Sequence, residues 1–102
     1  MIPIFQMLKD TVQLIKDDEV IDIRCLKITR SSRLFQEREI IFHDFDLILI
    51  TLPEYRIGGK IYKIETGDLI KIDKLYRVIR VSSYIAPNNR ILYNEVFLEV
   101  RS

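Results

Sequence analysis

The chain has 102 residues, enough for one domain and too few for two ordinary ones, and a domain of that size buries about 60–70% of its unfolded surface without metal or disulfide staples. A composition of 48% hydrophobic and 30% charged residues, with three glycines and three prolines, excludes disordered, collagen-like and low-complexity chains. A formal net charge of +1 lacks the basic excess of a dedicated polyanion binder, and the single cysteine, Cys25, excludes an intrachain disulfide and fits a reducing cytoplasm.

In chain order, "MIPIFQML" has no basic lead-in and no small-residue cleavage site, so it does not read as a secretory signal. Ile4, Phe5 and Leu8 fit a short helical stripe, and residues 1–10 read as an arm or a short helix. "TVQLIK" (11–16) reads as a strand and "KDDE" (16–19) as a charged turn. "VIDIRCLKITR" (20–30) alternates with Ile21, Ile23 and Cys25 on one face, then changes phase to Leu26 and Ile28. That slip predicts a bulge, which would bend the strand toward a barrel corner or a second sheet.

"SSRLFQEREIIFHDF" (31–45) is the least periodic part and reads as a long loop or a poor helix. Long loops in compact domains tend to be functional. "DLILITLP" (46–53) is almost continuously apolar, as expected for a strand covered on both faces, and Pro53 ends it by removing a ladder donor. Its longest apolar run is far short of the ~20 residues of a membrane helix, so a soluble protein working inside a cell is expected. "RIGG" (56–59) is a turn. Strands follow near 60–65, 69–73, 75–84 and 91–100, the last two joined by "APNNR". Residues 1–102 therefore predict a single all-β or mainly β domain, a small barrel or sandwich of six or seven short strands. It would carry one long loop and at most one or two short helices.

"IETGDLIKIDKLYRVIRVSSY" (64–84) reads as a hairpin. If Asp73 and Lys74 form a two-residue loop, Ile72 faces Leu75, Ile70 faces Arg77 and Leu69 faces Val78. One surface then carries Ile70, Ile72, Leu75, Ile79 and Val81, and the other Leu69, Lys71, Tyr76, Val78 and Arg80. Gly67 permits positive φ, and Asp68 reads as a turn residue accepting a backbone hydrogen bond two residues on, rather than as a catalytic acid.

The residues that carry chemistry do not assemble a reactive set. His43 is the only histidine, so a transition-metal site would need ligands from another chain. Asp44 and Asp46 in "HDFD" are not followed by the glycine and terminal glutamate of a calcium loop. Ser31 and Ser32 lack triad partners, and Cys25 among apolar neighbours reads as a buried, inert thiol. No enzyme activity, cofactor or metal is expected. The basic cluster Arg24, Lys27, Arg30, Arg33 and Arg38 adjoins the acidic "KDDEVID" and reads as a solvated face or a subunit contact. A second reading gives Lys63, Tyr76, Arg77 and Arg80 to a small-barrel nucleic-acid-binding module, with Tyr62, Tyr84 and Tyr93 also available for stacking.

"GDLIKIDKLYRVIRV" resembles the C-terminal hairpin of small tailed-phage head–tail connector proteins, also called head-closure, stopper or head-completion proteins. The likeness rests on Gly67 and Asp68, "LIKI", Asp73, "YRV" at 76–78 and "ILYNEVFLEV". Looser matches are "LILITLPEYRI" and "DTVQLIK", and the turn position often filled by glycine is Lys74. The resemblance implies a homo-oligomeric ring, sixfold or twelvefold, in the neck of the virion. That ring would sit between portal or adaptor and tail, around channel DNA that it does not bind sequence-specifically, with no membrane partner. Ile2, Ile4, Phe5, Arg30, Arg33, Leu34, Phe35 and Phe42 are the expected contacts with neighbouring subunits and partners. The remaining alternative is a host interaction or immunity subunit. On the connector reading, deleting 31–45 is expected to leave a folded monomer unable to join capsids to tails.

Overall fold

The computed structural model describes residues 8–28 and 45–101, and every regular element among them is a strand. These are β1 (Asp10–Lys16), β2 (Glu19–Ile28), β3 (Leu47–Thr51), β4 (Tyr55–Ile57), β5 (Lys60–Tyr62), β6 (Leu69–Lys71), β7 (Leu75–Ile85) and β8 (Ile91–Val100). Six of them close an antiparallel barrel in the order β1-β2-β3-β8-β7-β6, while β4 and β5 form a separate two-stranded hairpin. The all-β expectation holds. The barrel's six strands fall within the expected number, and among the described residues the "YRIGGKIY" stretch adds a two-stranded hairpin by folding back on itself.

Turn chemistry explains the two tightest reversals. Asp17 and Asp18 between β1 and β2 have φ of 49° and 66°, and Gly58 and Gly59 between β4 and β5 have 57° and 80°. Positive φ at both central residues is the geometry whose twist matches flanking strands, and Asp tolerates it better than most non-glycine residues.

Inward-facing residues follow the period of two. Val12 and Leu14 of β1, Ile21, Ile23 and Cys25 of β2, Leu47 and Leu49 of β3, Ile70 of β6, Tyr76 and Val78 of β7, and Val96 and Leu98 of β8 fill the barrel. Burial pushes the Cys25 thiol up to about 12, so it is protonated at neutral pH.

The phase change in β2 has a different cause from a bulge. Pairing of β2 with β1 and with β3 runs without a slip. Past Cys25 the strand begins to serve a second apolar cluster on the outside of the barrel, formed by Ile28, Phe45, Ile48 and Phe97 with Ile50 and Ile79 against it. Phe45 and Phe97 meet edge to face at 5.1 Å between centroids. This double duty also explains β3, whose Leu47 and Leu49 face the inner cluster and whose Ile48 faces the outer one. Register shifts lie instead in the β7–β8 pairing, between Val78 and Arg80 and between Tyr84 and Ile85.

The β6–β7 register is also one residue away from the expectation. Lys71 pairs with Leu75, Ile70 with Tyr76 and Leu69 with Arg77, leaving Ile72, Asp73 and Lys74 as a three-residue loop. None of the three has positive φ, the conformation a two-residue loop would have demanded of Lys74. The Asp73 carboxylate instead accepts from the Lys74 amide at 2.9 Å and the Tyr76 hydroxyl at 3.2 Å. One step in register exchanges the faces of β7, so Tyr76 and Val78 point inward and Leu75 does not.

All eight expected contact residues, Ile2, Ile4, Phe5, Arg30, Arg33, Leu34, Phe35 and Phe42, lie outside the described residues, as does most of 31–45. Phe45 is described, and its burial means that a deletion meant to spare the fold must stop short of it. Phe45→Ala and Phe97→Ala are each expected to lower unfolding free energy by about 3 kcal/mol. Because the rings touch, the double variant should lose less than the sum of the two. Urea denaturation of the three variants checks both statements.

Candidate functional site

The longest hairpin outgrows the barrel that it helps to close. β6 pairs with β7 only as far as Arg77, and β3 pairs with β8 only as far as Asn94. From Arg80 to Ile85 and from Ile91 to Tyr93 the two strands pair with each other alone among the described strands, forming a projecting ribbon. Tyr84 and Tyr93 stack on it at 4.6 Å between centroids. Its tip is closed by bonds from the Ala86 amide to the Arg90 carbonyl and from the Asn89 amide to the Ala86 carbonyl, with Asn89 at φ 64°. Ile85, Ile91 and Leu92 are exposed by 61%, 45% and 50%, unusual for three neighbouring large apolar side chains.

Beside the ribbon's inner face runs an open cleft of about 620 Å³, lined among others by Glu54, Lys63, Glu65, Val81, Ser83 and Asn94. One wall is the connection between β5 and β6, and its geometry comes from the Gly-Asp pair. The Asp68 amide donates to the Glu65 carbonyl at 3.1 Å across a turn with Gly67 at φ 97°. The Asp68 carboxylate accepts in return from the Glu65 amide at 2.8 Å. The expected turn is present, with the carboxylate reaching three residues back rather than two forward. The chain then bonds to β7 from Gly67 to the Val78 carbonyl and from the Val78 amide to Asp68. At the bulge after Val78 the two segments part, and the cleft opens between them.

Lys16 at the end of β1 pins this wall. Its ammonium donates to the Lys63 carbonyl at 2.8 Å, to Glu65 at 2.8 Å and to Asp68 at 3.0 Å. Partial burial pulls the Lys16 pKa down, but the bonds and charges of Glu65 and Asp68 outweigh it and the net displacement is upward. The hydrogen bond from Lys16, and then its charge, hold the Glu65 carboxyl below its usual range. The β4–β5 hairpin is tied down separately. Glu19 accepts from the Tyr62 hydroxyl at 2.7 Å and from the Lys60 ammonium at 3.1 Å, which lowers the Glu19 pKa in that order of effect. At the hairpin's root the buried Tyr55 hydroxyl donates to the Arg24 carbonyl and accepts from the Leu52 amide at 3.2 Å.

The four nucleic-acid candidates do not share one surface. Lys63 is exposed on the cleft. Tyr76 is a core residue and offers no face for base stacking in the folded protein. Arg77 is exposed and forms an ion pair with Glu99, and the Arg80 guanidinium lies over the Phe97 ring at 5.3 Å from its centroid. Tyr84 and Tyr93 stack on each other, and Tyr62 is held by Glu19. Among the described residues no group of three His, Cys, Asp or Glu side chains is placed to hold a metal ion. Among the described residues no helix is long and apolar enough to cross a membrane.

Sequence reasoning missed Ser83, Asn94, Ile91 and Leu92. The available signal was in "ILYNEVFLEV", where two adjacent apolar residues break the alternation and an asparagine interrupts an otherwise buried strand.

No family model matches the chain, and no curated protein or solved structure is significantly similar to it.

The Lys16 network carries a pH signature. Glu65, with its pKa depressed, stabilises the fold above the ordinary carboxylate value and loses that effect as pH falls through the depressed one. Lys16, with its pKa raised, stabilises below the ordinary lysine value of 10.5 and loses that effect as pH rises through the raised one. Lys16→Met should therefore unfold at lower urea than the parent protein by a constant margin between roughly pH 5 and pH 10. The margin should narrow on both sides of that window.

Proposed function

We propose that this is a non-enzymatic assembly protein of the tailed-phage neck, one subunit of a ring docked between portal or adaptor and tail around the DNA channel. The observation that carries the reading is a closed barrel presenting a ribbon near whose tip Ile85, Ile91 and Leu92 are exposed. Closing a sheet on itself removes its edges and leaves a body that does not aggregate along them. Against that background an apolar, edge-bearing ribbon is a surface for association.

A ring also needs a second, different patch on each subunit, because side-to-side contacts in a ring are heterologous. The β4–β5 hairpin supplies one, with Ile57 and Ile61 exposed by 41% and 55%. The small net charge suits a channel through which DNA slides without being held. The resemblance of "GDLIKIDKLYRVIRV" to connector hairpins names the setting, and the barrel with its two apolar projections fits the task.

Genes for portal and tail proteins are expected on either side of its own. A tagged copy supplied during infection should copurify with complete virions. Ile91→Asp combined with Leu92→Asp should leave the far-ultraviolet circular dichroism unchanged and abolish incorporation. Incorporation at the parental level, or a salt-dependent gel shift with duplex or single-stranded DNA in place of incorporation, would overturn the assignment.

A further inference from the structure

We propose that the outer edge of β7 at Val81 and Ser83, together with the cleft beside it, is a strand-addition site for an extended peptide carrying a carboxylate, donated by a partner protein. The inference deepens the assembly reading and rests on it only for the identity of the donor.

The edge follows from the hydrogen-bond phase of β7. Val78 turns both its amide and its carbonyl to the β6 side, toward Asp68 and Gly67. On the neighbouring strand, the Leu98 carbonyl and the Val100 amide point to the β3 side, so even-numbered residues of β8 face away from β7. Val81 pairs with Val96 and Ser83 with Asn94 across the bulge. The peptide groups of Val81 and Ser83 therefore also face away from β8, over the cleft. Two amides and two carbonyls are presented there in the spacing of a strand, with no backbone partner among the described residues. Natural sheets blunt such an edge with lysine, proline or an inward charge. After Arg80 the sequence is "VSSYI", which contains none of these.

The cleft defines what would pair there. Asn94 is 8% exposed. Its Oδ1 accepts from the Ser83 hydroxyl at 2.7 Å, and its amide nitrogen, on the wall of the cleft, has no acceptor among the described residues. Lys63 on the opposite wall has its ammonium in no ion pair among them. The two carboxylates lining the same space are already occupied, Glu54 by Arg56 at 3.3 Å and Glu65 by Lys16 at 2.8 Å. The Lys63 charge acts on Glu65 from a distance without a direct ion pair, so a donor and a positive charge lack a bonded partner, and their complement is a carboxylate. Pro53, Ile64, Val81 and Ile91 supply apolar walls for the alternate side chains of an added strand. A second copy fits less well, since the free edge of its ribbon, Ile91 to Tyr93, carries no acid.

The test uses the purified full chain and two capped hexapeptides, acetyl-Val-Thr-Val-Asp-Val-Thr-amide and its Asp-to-Asn counterpart, followed by amide chemical shifts and hydrogen exchange. The acidic peptide is expected to slow exchange of the Val81 and Ser83 amides by about tenfold at saturation. Ser83→Pro should abolish this while keeping the barrel's spectrum, because a proline is tolerated where the amide faces outward. Ser83→Ala, which keeps that amide, should still bind. Lys63→Glu should weaken the acidic peptide about fivefold and leave the Asn peptide unchanged. No slowing at millimolar peptide, binding indifferent to Ser83→Pro, or protection that grows with protein concentration without peptide would overturn the proposal, the last in favour of a second copy. None of these readouts depends on virions, so a negative result here and a failure of incorporation are separate findings.

Discussion

Closure is the constraint from which the rest of the structure follows. β1 pairs on one edge with β2 and on the other with β6, through Leu14 opposite Ile70, and that second pairing turns a six-stranded sheet into a barrel. Only three residues of β6 make the bond to each neighbour. So short a closing strand relies on what holds its ends. Lys16 does this from β1, reaching the Lys63 carbonyl, Glu65 and Asp68 at once, and the Gly67 turn aims Asp68 back at it. The Gly-Asp pair thus fastens the barrel and shapes one wall of the cleft with the same few bonds.

Two layers of apolar side chains follow from a small closed sheet whose strands are not all covered by solvent on the outside. The inner cluster fills the barrel, and the outer one, centred on Phe45, Ile48 and Phe97, gives β2, β3 and β8 a second buried face. The bulge at Ile79 and Arg80 lets β7 contribute to both. Before it, Tyr76 and Val78 point inward; at it, Ile79 packs against the outer cluster and Arg80 covers Phe97. Bulges bend and re-aim strands, and here the change of direction detaches β7 from the β6 side and frees the ribbon. Packing on one surface and exposure on another have a single backbone cause.

Much of this was legible in the sequence. Period-two alternation gave the positions of β1, β2, β7 and β8, and the unbroken apolar run of "LILIT" announced a strand with two covered faces. Gly58–Gly59 and Asp17–Asp18 marked their turns by residue type. The errors have physical reasons. The β2 phase change was a change of partner cluster, which local pattern cannot distinguish from a bulge. The one-residue shift at Asp73–Lys74 turned on a side-chain cap, since a carboxylate serving Lys74 and Tyr76 makes a three-residue loop the better solution. The expected register puts Tyr76 outside, whereas the observed one buries it. The cleft had no signature, because Lys63 and Asn94 are 31 positions apart in the chain and only the splaying of two segments brings them to one space.

The lone thiol has a practical corollary. Cys25 has no solvent exposure, and its proton is held to about 12, so an alkylating reagent at neutral pH finds neither access nor thiolate. Labelling at this atom then requires β2 to leave its neighbours, and the rate of modification becomes a clock for the opening of the whole barrel. The molecule carries its own reporter of cooperative unfolding, with no engineered probe required.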